Sequence, residues 1–353
     1  MNRVTRLDER MAAMVMPAIQ PSASFGLTPQ DCLVLCGGFE DRALAVLREA
    51  TSVFSHFRVV IIVYAPVLAA NRLDEIRALC GQAGIIPTEM VYHREDPAGF
   101  GDLLLIQLGV VKGRVFLDVS GMSRLLIVQC LVALRNQRDG FENCVIAYAE
   151  AETYPPTSLE VENAVQRSEE DPLSSLFLLS SGVFEVTVVP ELSATVVGPN
   201  QTRLIVFPSF SPEQITALRN ELSPSRCTYI HGVPPLKENR WRTDALAGIN
   251  HLKLTDPDNL RASTMDYRET LVCLLRLYGE HSERERLMVS PTGSKMQAVA
   301  VGMFRAFLDD VQIVYPTPRE FRAPDNYTRG VRQIYILPLK DFATLMHPII
   351  HES

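Results

Sequence analysis

Short apolar runs alternate with longer amphipathic stretches along most of the chain. DCLVLC (31–36) is an unbroken apolar run that stops at Gly37-Gly38, which predicts a strand buried on both faces. ALAVLREA, after Asp41, predicts a helix. RVVIIVYAP predicts a second strand, and NRLDEIRALCGQAG a helix that ends on Gly84. A further helix is expected from Gly101 to Val110. RVFLDVS, MSRLLIVQCLVALRN and NCVIAYAE then predict a third strand, a long buried helix and a fourth strand. The same order resumes beyond residue 202. Its strands are RLIVFPS, CTYIHGVP, RLMVSPT and VQIVYPT. Its helices begin at Pro212, Asn239 and Ser294, and another crosses ETLVCLLRLYG. Strands that alternate with helices imply βαβ units and a mainly parallel sheet. Each half then ends on an extra strand, VFEVTVVP or RQIYILPL.

The two halves share landmarks as well as order. Arg58, Pro66, Leu68 and Asn71-Arg72 have the same spacing as Arg226, Pro234, Leu236 and Asn239-Arg240. FLDVSGMSRLLIVQCLVAL faces RLMVSPTGSKMQAVAVGMFRAF. Tyr148–Tyr154 faces Tyr315–Phe321, and Gly182-Val183 with Pro190 faces Gly330-Val331 with Pro338. The expected fold is α/β: two duplicated Rossmann-like units with mainly parallel sheets, arranged as a pseudo-dimer with a shared groove. The expected organisation is an N-terminal arm (1–30), unit 1 (31–192), a linker (193–202), unit 2 (203–340) and a C-terminal tail (341–353). Residues 155–181, with Pro155-Pro156 and Glu169-Glu170-Asp171, predict a loop with a short helix.

Composition narrows the function classes. The chain has 353 residues, 47 % hydrophobic and 21 % charged, which suits two domains with ordinary cores. A net charge of -7 argues against broad nucleic-acid binding but leaves room for a local basic pocket. No apolar run reaches membrane-spanning length, so no membrane partner is expected. The start reads as an arm or helix, not a signal peptide. The seven cysteines are odd in number and lie mostly in apolar segments, which fits buried thiols in a reducing cytoplasm.

In an open α/β sheet, ligands sit beyond the carboxyl ends of the strands. The first such turn is CGGFEDR, with Gly37, Gly38 and Phe39, matched by FPSFSPE, with Ser209. Glycines here let backbone approach a ligand, or simply satisfy a tight turn. No GxGxxG or Walker loop is present. The second turn is DVSGMSR, with Ser120, Gly121, Ser123 and Arg124. It is matched by SPTGSK, with Thr292, Gly293, Ser294 and Lys295. Hydroxyls, main-chain N–H groups and a cation make a phosphate cradle. A cation in the first helical turn opposes the macrodipole, so its presence in both halves points to function. Asp118 is the main asymmetry. Its place in unit 2 falls to Val289 or Ser290, depending on the alignment. If Asp118 converges with Glu40, Asp41, Glu150 and Glu152, unit 1 has a carboxylate cluster for general acid/base catalysis, with Asp118 and Glu150 as the catalytic pair, or for a metal; otherwise these residues are surface charge. AYAEAETYPPT and VYPTPREFRAPDNY add aromatic and hydroxyl groups, with Arg319, Glu320 and Arg322 in the second. The histidines are scattered, and Cys32 and Cys36 point to one face of a strand, so no metal site and no cofactor is expected. Trp241 lies in a polar helix and reads as a packing or interface residue.

On these residues the chain resembles Rossmann-like sensor domains of the CARF type, and SAVED proteins, which resemble two fused CARF units. The matching residues are Gly37-Gly38-Phe39 with Ser209-Phe210, and Ser120-Gly121-Met122-Ser123-Arg124 with Thr292-Gly293-Ser294-Lys295. The resemblance implies a groove at a pseudo-two-fold axis that binds a nucleotide-type small molecule, such as a cyclic oligonucleotide made in prokaryotic antiviral defence. The chain departs from the family in leaving no room for a nuclease, protease or membrane effector. Output is therefore expected from a protein partner or from the groove itself. Two alternatives stand beside this sensor: a nucleotide- or nucleoside-cleaving enzyme using the unit 1 carboxylates, and a ligand-free scaffold subunit.

Overall fold

The computed structural model describes residues 6–22, 25–53, 56–137, 140–166, 180–195, 201–321 and 327–351. Residues 167–179 of the expected acidic loop, 196–200 of the expected linker, and Arg322 lie outside these. The fold is mixed α/β, with eleven α-helices and fourteen strands among the described residues. In the first half, α1 (Leu7–Ala12) and β1 (Gln20–Pro21) precede β2 (Cys32–Cys36), α2 (Ala45–Val53), β3 (Arg58–Ala65) and α3 (Leu73–Gln82). Then come β4 (Thr88–His93), α4 (Phe100–Leu108), β5 (Val115–Asp118), α5 (Arg124–Arg135), β6 (Cys144–Glu150), α6 (Ser158–Gln166) and β7 (Ser180–Thr187). The second half runs β8 (Thr202–Val206), α7 (Pro212–Leu222), β9 (Arg226–Val233), α8 (Trp241–Ile249), β10 (Asn259–Ser263) and α9 (Tyr267–His281). It continues with β11 (Arg286–Ser290), α10 (Lys295–Phe307), β12 (Gln312–Ile313), β13 (Tyr315–Phe321), β14 (Gln333–Pro338) and α11 (Phe342–His351).

The larger sheet has the order β1-β14-β6-β5-β2-β3-β4, and the second has β10-β9-β8-β11-β12. Strands β2 to β6 are parallel, as are β8 to β12. Counted from β2 or from β8, both sheets place the third, second, first, fourth and fifth strands side by side. In both, the sense of winding reverses between the first strand and the fourth. Two strands escape the apolar pattern. TEMVYH of β4 alternates exposed and buried positions, and β10 buries only Ala262. Both lie at sheet edges, where one face or less is covered, so no continuous apolar run marks them.

The closing strands correct a second expectation. Each half does end on an extra strand, but the two are exchanged. β14 of the second half runs antiparallel to β6 of the first, with Tyr335 opposite Tyr148. β7 of the first half runs antiparallel to β13 of the second, with Thr187 opposite Tyr315. The glycines before them, Gly182 and Gly330, both have positive φ, near 62° and 66°. Gly330 donates its N–H to Asp41, and Gly182 donates its N–H to Glu213. β14 thus completes the larger sheet, β7 and β13 form a separate two-stranded sheet, and each closing strand is pinned at its entry to the first helical region of the other half.

Side chains of β2 alternate between two cores, as a strand of period two must. Cys32, Val34 and Cys36 join a core that also holds Ile205 and Val289 of the second sheet, with α5 and α10 between. Leu33 and Leu35 join an outer core with Leu44, Leu47 and Ile76. Leu204 and Val206 face a third cluster with Ile215 and Leu218 of α7. The central core is therefore common to both halves. Where α5 meets α10, Gly302 lets the helices approach closely. A Cβ there would stand 2.7 Å from Leu131 Cδ1 and 3.3 Å from Val128 Cα.

Gly302→Val should destabilise the protein by about 1–3 kcal/mol through overpacking. Leu131→Ala on the same background should recover part of the loss, because the two sites share one space. Chemical denaturation of both singles and the double reads this out. Additive losses would contradict a close approach at this point.

Candidate functional site

The candidate site lies where the carboxyl ends of β2 and β5 face those of β8 and β11. In the first half, the turns after β2 and β5 press on one another. A Cβ on Gly121 would stand 2.3 Å from the Cys36 carbonyl oxygen, and one on Gly38 3.3 Å from Gly121 Cα. These glycines therefore serve turn-to-turn packing. Gly37 donates its N–H to the Ile62 carbonyl. Ser120 is buried, and its hydroxyl oxygen accepts the Ala149 N–H, tying the turn to β6. The second half repeats the device with other residues. Thr292 is buried and donates its hydroxyl to the Phe207 carbonyl at 2.6 Å. Ser209 donates to Gln214 Oε1 at 2.9 Å.

Both serines before the central helices act as N-caps. Ser123 Oγ accepts the Leu126 N–H. Ser294 Oγ accepts the Gln297 N–H, while Gln297 Oε1 accepts the Ser294 N–H, completing a capping box. The next residues are the cations, and they cross. Arg124 Nε donates to the Gly293 carbonyl of the opposite turn. Lys295 Nζ donates to the Met122 carbonyl at 2.6 Å. Neither cation forms an ion pair among the described residues. Phe39, Ser123, Arg124, Gly293, Ser294 and Lys295 are all partly exposed, at the seam where the two turns meet.

A charged cluster adjoins the crossed cations. Arg42 makes a bidentate pair with Glu40, at 2.9–3.1 Å, and also donates to the Tyr148 hydroxyl at 3.2 Å. Thr328, from the chain leading into β14, donates its hydroxyl to Glu40 at 2.6 Å. Burial would raise the Glu40 carboxyl, but Arg42, Lys295 and the Thr328 hydrogen bond outweigh it and hold it below its ordinary value. Lys295 is pushed down to about 7 by burial, with Arg42 and Arg124 adding like-charge repulsion and Glu40 opposing. Asp118 is 1 % exposed; its Oδ1 accepts the Ser120 N–H and its Oδ2 has no hydrogen-bond partner among the described residues. Burial pushes it up to about 7, against the Ser120 hydrogen bond and the attraction of Lys295 and Arg42.

The first-half carboxylates do not share one task. Glu40 belongs to Arg42 and Thr328. Asp41 pairs with Arg72 at 2.6 Å and accepts the Gly330 N–H. Glu150 accepts from the Tyr335 hydroxyl at 3.3 Å on the strand pair β6–β14. Glu152 packs beside Gly330. Among the described residues no group of three or more His, Cys, Asp or Glu is placed to hold a metal ion.

Several site residues escape motif reading. Tyr327 sets its ring against Phe39, centroids 4.6 Å apart. Tyr327 and Thr328 arrive from the far end of the sequence, so no local pattern marks them. Arg242 lies over Phe210 and Trp241 and donates to the carbonyls of Tyr154 and Pro156, at 3.0 and 2.9 Å. The polar, tryptophan-bearing helix start was its only sequence signal.

Asp118 yields a pH prediction. A carboxyl raised from 3.8 to about 7 favours the fold while protonated. That contribution is complete below the unfolded value and is lost as pH rises through the folded one. The melting temperature of Asp118→Asn relative to wild type should therefore improve from about pH 5 to about pH 8. A difference that stays flat across this window would contradict the assignment.

No family model matches the chain, and no curated protein matches it. Among solved structures, "Crystal structure of TnmH" matches at 15 % identity and a TM-score of 0.21, over 45 % of this chain and 47 % of that one. The chain thus spans about half the length of TnmH. The cytoplasmic domain of a prokaryotic cation chloride cotransporter matches at 9 % identity and a TM-score of 0.21, over 81 % of this chain and 94 % of that one. At these scores neither likeness bears on function.

Proposed function

We propose that the chain is a duplicated pair of Rossmann-like units, related by an approximate two-fold axis, that binds a nucleotide-type anion in the crevice between them. The observation that carries this reading is the crossed pair, Arg124 to the Gly293 carbonyl and Lys295 to the Met122 carbonyl. Among the described residues neither cation at these helix N-termini forms an ion pair, and each donates a hydrogen bond to a neutral carbonyl. A phosphate would replace each such contact with a charge-assisted one. The reversal of winding in both sheets, next to these turns, is where open α/β sheets take ligands. The sensor role, the setting in prokaryotic antiviral defence, a cytoplasmic location and an output through a protein partner rest on the CARF and SAVED resemblance. No helix among the described residues is long and apolar enough to cross a membrane.

A second reading, a nucleotide- or nucleoside-cleaving enzyme, is favoured by one observation. Asp118 has an unpartnered oxygen and sits where its proton is labile near neutral pH. Against this, Asp118 lies beneath the Ser120 turn, away from solvent.

Native mass spectrometry of co-purifying small molecules tests the main reading. Wild type should retain a phosphate-bearing molecule. Lys295→Glu and Arg124→Glu should each weaken its binding at least about tenfold, from the loss of about 1.5–3 kcal/mol per charge-assisted contact. Retention unchanged in both variants would exclude this site. Turnover of the retained molecule by wild type, abolished in Asp118→Asn with binding intact, would favour the enzyme instead.

A further inference from the structure

The helices α4 and α9 follow equivalent strands, but their outer faces differ in what covers them. His93 ends β4 opposite Ala65, and Ser263 ends β10 opposite Val233, so the chain can be counted onward from these two residues. On that count Leu104 of α4 matches Leu274 of α9, and both are buried. The outward positions Leu103, Ile106 and Gly109, with Val110 just past the helix end, match Cys273, Arg276, Gly279 and Glu280. In the second half α1 lies on this face. Leu7 Cγ stands 3.7 Å from where a Cβ on Gly279 would be, Arg6 pairs with Glu280 at 2.8 Å, and Met11 is buried. In the first half the same face is bare: Leu103 is 53 % exposed, Ile106 76 % and Val110 91 %. It is also the more apolar of the two. Single apolar residues are ordinary on a surface, but a run of them along one helix face marks an interaction site.

We propose that the outer face of α4 is a homodimer interface, on which a second copy of this chain lays its own α4 in antiparallel register about a two-fold axis. The charges select this occupant. Asp102 stands at one end of the apolar run and Lys112 at the other; both are exposed, and neither forms an ion pair among the described residues. In a two-fold interface, if one position meets a second on the copy, the second also meets the first. With the axis beside Ile106 and Gln107, Leu103 of each chain meets Val110 of the other, and the two Ile106 side chains meet at the centre. Asp102 then lies beside Lys112 of the second copy, at both ends. A parallel pairing would set like charges together instead. The face is thus complementary to itself in charge as well as in apolarity. Burial of the three apolar side chains drives the association, and the end charges set its register. The arm helix α1 is not the occupant. It is seated on α9, where Arg6 finds the Glu280 that α4 replaces with Val110.

Sedimentation equilibrium of the whole protein, from nanomolar to micromolar concentration, tests this. Wild type should show the mass of two chains at micromolar concentration. Ile106→Glu sets like charges against each other at the axis and should leave a monomer throughout. Its far-ultraviolet circular dichroism should match wild type, because Ile106 is exposed in the single chain. Asp102→Lys should weaken the dimer about tenfold, because the axis repeats the like-charge contact at both ends. Adding Lys112→Asp to that variant should restore it. A wild type that is monomeric at every concentration would overturn the proposal, and so would a dimer that persists in Ile106→Glu. Failure of the second charge change to restore the dimer would overturn the antiparallel register.

Discussion

Everything at the centre of this molecule depends on the contact between two helix starts. α5 and α10 are buried along most of their length, so they can only face each other and the two sheets. Their packing brings the two turns together, and the small Gly302 opposite Leu131 sets how close they come. At that separation Arg124 and Lys295 each reach across to a carbonyl of the opposite turn. A cation at a helix N-terminus is unfavourable for its own helix. It is tolerated here because the opposing turn supplies an acceptor. The same geometry gives Lys295 two guanidiniums as neighbours and leaves its charge labile near neutral pH.

The exchanged strands make this contact durable. With β14 in the first sheet and β7 beside β13, neither half can leave without breaking an antiparallel pairing. The segment entering β14 also carries Tyr327 and Thr328 to Phe39 and Glu40. One side of the seam is thus assembled by the approach to a strand that belongs, along the sequence, to the other half. Exchange and site are consequently linked: the strand that completes the first sheet also fixes the Glu40–Arg42 pair.

The sequence made the buried elements legible and left the long-range ones hidden. Strands β2, β3, β5 and β6 are apolar runs because both faces are covered, and the matched spacing around Arg58 and Arg226 follows from repeated strand–helix lengths. β4 and β10 were hidden because an edge strand needs no continuous apolar run. The exchange was hidden for a different reason. VFEVTVVP and RQIYILPL suit any open edge, and both β6 in the larger sheet and β13 beyond the second sheet offer one; local sequence states that a strand follows, not which edge it joins. At the site, the Gly/Ser turns and their cations were legible as a pattern, yet several predicted ligand groups are spent internally. Gly38 and Gly121 pack turn on turn, and the hydroxyls of Ser120 and Thr292 bond within their own half. Those bonds join residues far apart in the chain, so no motif could reveal them. Arg42 stood in the quoted turn but gained its meaning only from Tyr148 and Glu40 in space.

The most direct test of the account is a crystal structure of the protein with a nucleotide thiophosphate, located by the anomalous scattering of its sulfur. The account predicts the sulfur between Arg124 and Lys295, with both side chains turned from the carbonyls of Gly293 and Met122. Sulfur bound elsewhere, with the crossed contacts intact, would contradict it.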